Sequence, residues 1–120
     1  MKKILIVDDA AFVRKKIRLL VEQNDFEVVG EAENGIEALN MYKLYKPDIV
    51  TMDITMPLMD GIEALKSILN FDPKAKVVVV SALGQEAQVK RAVLSGAKSF
   101  IVKPLNDEYV INALRKVAAM

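Results

Sequence analysis

Cysteine, histidine and tryptophan are all missing from this 120-residue chain. Without cysteine there is no disulfide and no thiolate chemistry. Without histidine the chain lacks the commonest general base and the commonest transition-metal ligand. Any metal must be held by oxygen, which favours hard cations. Glycine and proline are sparse, at 5 and 4 residues, while 52% of the chain is hydrophobic and 28% charged, a globular rather than a disordered composition. A large excess of one charge is also missing: the net charge of +1 gives no electrostatic footprint for nucleic acid. No apolar run approaches a membrane span. The run Ile4-Leu5-Ile6-Val7 ends in two acids, so a signal peptide is rejected. No repeat, linker or low-complexity segment is visible. These absences leave one soluble domain, expected in the cytoplasm.

What is there is organised around Asp48-Ile49-Val50-Thr51-Met52-Asp53. This reads as a short strand, apolar enough to be covered on both faces, that ends in a carboxylate. Ile4–Val7 reads as an earlier strand of the same kind, followed by a helix with Val13, Ile17, Leu20 and Val21 at helical spacing. Phe26–Glu31 is a second strand, polar at its ends and therefore an edge. Asn34 with Glu37, and Asp60 with Glu63, read as helix N-caps with an acid three residues on. The first of these helices places Ala38, Met41, Tyr42 and Tyr45 on one face; the second places Ile62, Leu65 and Leu69. Lys76–Val80 is a valine strand ending at Ser81-Ala82. The helix at 84–95 has a weak stripe of Ala87, Val89, Ala92 and Val93, stopped by Gly96. Ser99–Val102 is the fifth strand, and Asn106 caps a last helix with Val110, Ala113, Leu114 and Val117 inward.

Five strands alternating with five helices predict an α/β fold, a doubly wound parallel sheet with helices on both sides. Apolar strands 1, 3 and 4 belong inside and strands 2 and 5 at the edges. The order 2-1-3-4-5 satisfies this and puts the switch point between strands 1 and 3. The carboxyl ends of the strands then share one edge. They bring Asp8 and Asp9, Asp53, Ser81 and Lys103 together. Three crowded carboxylates are costly without a cation, and Mg²⁺ suits a few carboxylates with an incoming phosphate. Asp53 is a possible nucleophile toward a phosphoryl group. Lys103 offers an ammonium and Ser81 a hydroxyl.

Taken singly, each of these residues has a plainer role. Asp8-Asp9 alone reads as a helix cap, Asp60 as cap and turn, Lys103 as a solvated charge, Ser81 as a turn residue and Phe100 as core. Only together do five polar groups at four strand ends outweigh those readings.

The segments Ile4–Asp9, Met52-Asp53-Ile54-Thr55-Met56-Pro57 with Asp60-Gly61, Ser81-Ala82, Gly96-Ala97 and Lys103-Pro104 occur in an order and spacing that resembles the receiver domain of bacterial two-component response regulators. The likeness covers the whole chain, 1–120, and is greatest to stand-alone chemotaxis members, through Asp8–Arg14 and Val80–Gln85. The resemblance implies a flavodoxin-like (βα)5 fold, whose known strand order is the one given above. It implies Asp53 as phosphoacceptor, and Asp9, assisted by Asp8, as the carboxylate ligands of Mg²⁺. Thr55 would lend its backbone carbonyl to the metal. Ser81 would be the switch hydroxyl, Phe100 the aromatic switch and Lys103 the family's lysine, with a cis bond to Pro104. Phe100 stands where many members have tyrosine, so no phenol oxygen is available there.

The implied function is a phosphorylation-driven signalling switch rather than a turnover enzyme. Its partners would be a sensor histidine kinase of the chemotaxis type, the flagellar motor switch or another target, and a phosphatase. No nucleic acid and no membrane insertion are expected. A receiver of another phosphorelay, or one cut from a larger regulator, is the alternative. Three other classes fit less well. A flavin carrier would need a neutral phosphate loop where Asp8-Asp9 stand. A dehalogenase-type phosphatase would need an acid at Thr55. A P-loop or Rossmann enzyme would need clustered glycines, and Gly30, Gly35, Gly61, Gly84 and Gly96 are scattered.

Overall fold

Apolar residues alternate along the strands, and that alternation builds two cores, one on each face of a single sheet. The computed structural model describes residues 1–120. The strands are β1 (Lys2–Val7), β2 (Phe26–Ala32), β3 (Ile49–Asp53), β4 (Val77–Ser81) and β5 (Ser99–Val102). The helices are α1 (Ala11–Glu22), α2 (Gly35–Tyr45), α3 (Gly61–Phe71), α4 (Glu86–Leu94) and α5 (Asp107–Ala118). All strand pairs are parallel, and their order is β2-β1-β3-β4-β5. The predicted doubly wound sheet and its edge strands are therefore observed.

Leu5, Val7, Val50, Met52, Val77 and Val79 point to the face covered by α2, α3 and α4. Ile4, Ile6, Ile49, Val78, Val80 and Ile101 point to the face covered by α1 and α5. Successive side chains of a strand take opposite faces, so each inner strand contributes to both cores. This explains why β3 and β4 are buried along their whole length.

Asn34, Asp60 and Asn106 cap α2, α3 and α5 as predicted, accepting from the N–H groups of Glu37, Glu63 and Tyr109. Some details differ from the expected faces. Tyr45 is exposed, because α2 turns its buried side to Gly35, Ala38 and Tyr42. Ile68 and Ile111 are buried where Leu69 and Ala113 are only partly so. The helix expected from 84 starts at Glu86, since Gly84 lies at φ +88, outside helical backbone. Of its expected stripe only Ala92 is buried, and Val93 faces solvent.

Gly61 fixes the β3–α3 loop against the end of β3. Its N–H donates to the Ile54 carbonyl at 2.7 Å. A Cβ there would overlap the carbonyl oxygen of Asp53.

Candidate functional site

Strand alternation places the site before any side chain is considered. In β1, Ile4 and Ile6 share a parity that Asp8 continues. In β3, Ile49 and Thr51 share one that Asp53 continues, and in β5 Ile101 shares one with Lys103. Asp8, Asp53 and Lys103 thus belong to the α1/α5 side at the carboxyl edge. Ser81 and Phe100 have the opposite parity and belong with Val77 and Val79, on the α4 side.

The geometry follows this plan. Ligand oxygens of Asp8, Asp9 and Asp53 all lie within 4.8 Å of one another. Asp8 and Asp53 are buried and Asp9 is exposed. Lys103 Nζ stands 3.4 Å from Asp8 Oδ2 and 4.0 Å from Asp53 Oδ1. The Lys103–Pro104 peptide is cis, as expected. Burial, reinforced by the Asp8 charge, pushes the Asp53 carboxyl up to about 7, against the pull of Lys103 and the Thr55 backbone N–H. Asp8 divides its oxygens: Oδ1 accepts the Ala10 N–H at 2.9 Å, while Oδ2 is buried with no hydrogen bond. The helix-cap reading of Asp8-Asp9 therefore holds only in part. Ala10 is the N-cap of α1 and makes no side-chain cap, and Asp8 forms a local turn with one oxygen while the other faces Lys103.

Asp8 Oδ2 is buried with no hydrogen bond and only the Lys103 ammonium at 3.4 Å, and the Asp53 carboxyl is driven toward neutrality; a cation relieves both. The donor set is all oxygen, which fits a hard divalent ion such as Mg²⁺.

Ser81 lies one residue past Val80, the register partner of Asp53. It is 1% exposed, and its hydroxyl has no partner. Phe100 is 38% exposed rather than core. With Ser81, Val89, Leu94 and Val102 it lines a cavity of about 390 Å³ between α4 and β5. Thr55 is exposed, and its hydroxyl accepts from Gln85 Nε2 at 2.8 Å. The predicted residues therefore fall in two groups: Asp8, Asp9, Asp53, Thr55 and Lys103 at the mouth, and Ser81 with Phe100 beside α4, Phe100 lying back in β5 opposite Val79.

Arg14 was missed by the sequence reading. It is 9% exposed, paired with Glu31 at 3.0 Å and Glu33 at 3.6 Å, and donates to the Asp8 backbone oxygen at 2.6 Å. Arg18 joins at 2.7 Å from Glu31. Burial alone would raise the Glu31 carboxyl, but its bonds to Arg18 and Arg14 outweigh this and hold it below the usual range. Arg14 thereby braces the turn that carries the acids. Its spacing to Ile17 and Val21 was the available signal, since it falls on the buried stripe of α1.

A parallel sheet with an acid cluster and an ammonium at its switch point, and an unpartnered hydroxyl at the end of the neighbouring strand, has the layout of the ligand site of an open α/β domain. Residues 4–115 match the response regulator receiver domain, and the chain belongs to that family. It is 57% identical to the chemotaxis protein CheY of Listeria monocytogenes, over 98% of this chain and 99% of that one. It is 55% identical to the chemotaxis protein CheY of Thermotoga maritima, over 98% of each. Among solved structures it resembles the CheX-CheY-BeF3-Mg+2 complex from Borrelia burgdorferi, with a TM-score of 0.93, 43% identity and coverage of 97% of this chain and 88% of that chain. The relatives at 55–57% identity are thus named as chemotaxis proteins. No helix is long and apolar enough to cross a membrane.

Proposed function

We propose that residues 1–120 form a single-domain response regulator of chemotaxis, working in the cytoplasm. It accepts a phosphoryl group on Asp53 from a sensor histidine kinase and changes its affinity for the flagellar motor switch. The observation that carries this reading is the meeting of three carboxylates within 4.8 Å beside one ammonium. The names of its relatives support the pathway, and the Borrelia complex, which holds BeF3, Mg and CheX, supports a phosphoryl site, a metal and a further protein partner.

An Asp53 oxygen attacks the phosphorus of a phosphohistidine. The new O–P bond forms as the P–N bond breaks, and the electron pair returns to the imidazole. Asp8, Asp9, Asp53 and the Thr55 backbone carbonyl would hold Mg²⁺, which when bound neutralises charge on the phosphoryl oxygens. Lys103, already 4.0 Å from Asp53, offers its ammonium to the same oxygens and orients the group. Ser81 contributes the hydroxyl that has no partner in the resting protein. Its movement frees space for the Phe100 ring in the cavity they both line. That shifts the population toward a different α4–β5–α5 surface. The chain is a switch that assists its own phosphorylation and loss of phosphate, not a turnover enzyme.

The test is intact mass after incubation with acetyl phosphate, with and without Mg²⁺, on the native chain and on Asp53→Asn. One phosphoryl group added only when both Mg²⁺ and Asp53 are present is the expected result. No addition, together with no binding of beryllofluoride, would overturn the reading.

A further inference from the structure

Gln85 is the N-cap of α4, yet its side chain makes no bond to the helix. The amide reaches sideways in two directions instead. Oε1 accepts the Ala82 N–H at 2.7 Å. Nε2 donates to Thr55 Oγ1 at 2.8 Å. The amide has this one orientation, because a backbone N–H can only be met by its oxygen. Gln85 therefore ties the β4–α4 loop to the β3–α3 loop, the two loops that flank Asp53.

Little else holds the β4–α4 loop. Ala82, Leu83 and Gly84 are exposed. A Cβ at Gly84 would meet nothing within 4 Å. The one backbone bond closing the loop, Gln85 N–H to the Ala82 carbonyl, is long at 3.4 Å. Just before the loop, the Ser81 hydroxyl is buried without a partner.

We propose that Gln85 is a positioning residue that latches the β4–α4 loop in its unphosphorylated place. The inference rests on Asp53 being the phosphoacceptor. A phosphoryl group brings three strong acceptor oxygens to the gap between β3 and β4. The end of β4 offers them the Ser81 hydroxyl and the Ala82 N–H, and the second is engaged by the Gln85 oxygen. Using it means opening the latch and releasing Thr55. A ligand that needs the open loop binds more weakly by the inverse of the fraction of molecules that are open. Gln85 thus acts through Ala82 and Thr55, not on the phosphoryl group.

The test is titration of the full chain with beryllofluoride in the presence of Mg²⁺. Gln85→Ala is expected to bind about three- to tenfold tighter, the range set by one or two neutral hydrogen bonds. Thr55→Ala is expected to shift affinity in the same direction, and the double variant to gain less than the sum. Amide hydrogen exchange in the metal-free protein supplies a second readout. Ala82 exchange should accelerate severalfold in Gln85→Ala while amides of β3 and α3 keep their rates. Wild-type or weaker beryllofluoride affinity in Gln85→Ala overturns the latch alone. Failure of the unsubstituted chain to bind beryllofluoride overturns the phosphoacceptor reading and the latch with it.

Discussion

Replacing Asp53 by asparagine should make the metal-free protein more stable, and the gain should depend on pH. Burial and the neighbouring Asp8 raise the Asp53 carboxyl from 3.8 to about 7. The unfolded chain ionises this group at its ordinary value, so between these limits the folded state binds more protons than the unfolded one. Stability therefore falls as pH rises through that window, the reverse of the usual carboxylate. At pH 8 the ionised group costs about 4 kcal/mol, and at pH 5, where it is mostly protonated when folded, about 2 kcal/mol. The replacing amide carries no charge and can donate to Asp8 Oδ2, which has no hydrogen bond of its own. The variant should gain about 4 kcal/mol at pH 8 in chelator, and that gain should shrink by about half at pH 5. Urea unfolding at both pH values, with EDTA throughout, measures it. A variant no more stable than the native chain at pH 8, or equally favoured at both pH values, would refute the burial-and-repulsion account of the site.

Saturating Mg²⁺ should stabilise the native chain by about 2.7 kcal/mol at a hundred times the dissociation constant, and Asp53→Asn by less; thermal unfolding with and without EDTA checks both. Gly61→Ala drives a methyl into the Asp53 carbonyl and should cost about 3 kcal/mol or more in urea unfolding, with reduced phosphorylation, because the β3–α3 loop must shift. Tyr42→Phe removes the 2.7 Å bond to Asp72 and should cost about 1 kcal/mol while leaving phosphorylation unchanged. Phe100→Ala should still take the phosphoryl group but lose the difference in target affinity between the two phosphorylation states, as measured by titration.

The mouth of the site was legible because the strand ends are written in the chain: apolar runs stop at Asp8, Asp53 and Lys103. A parallel sheet brings those carboxyl ends to one edge. The caps at Asn34, Asp60 and Asn106 were legible for a similar reason: each is a local arrangement written in three or four residues. The roles of single groups were harder to see. Arg14 was hidden because a charge on a buried stripe makes sense only when Glu31 and Glu33 arrive from another element. Gln85 was hidden because its partners lie on two loops. Phe100 looked like core because β5 was read from its apolarity, whereas an edge strand covered by a loosely seated helix leaves a ring half open.

Helix α4 buries one residue, Ala92, and shows Leu94 and Val93 to solvent. Beyond that alanine and Val89, which packs partly against the core, folding asks little of its sequence except the ability to be helical. The outward residues of α4 can therefore be exchanged freely without disturbing either core or the acid cluster. Under the proposed switch, recognition and stability are written in different letters of the chain. One chemical engine could then be matched to a new partner by rewriting a single helix face, while the acid cluster is left as it stands.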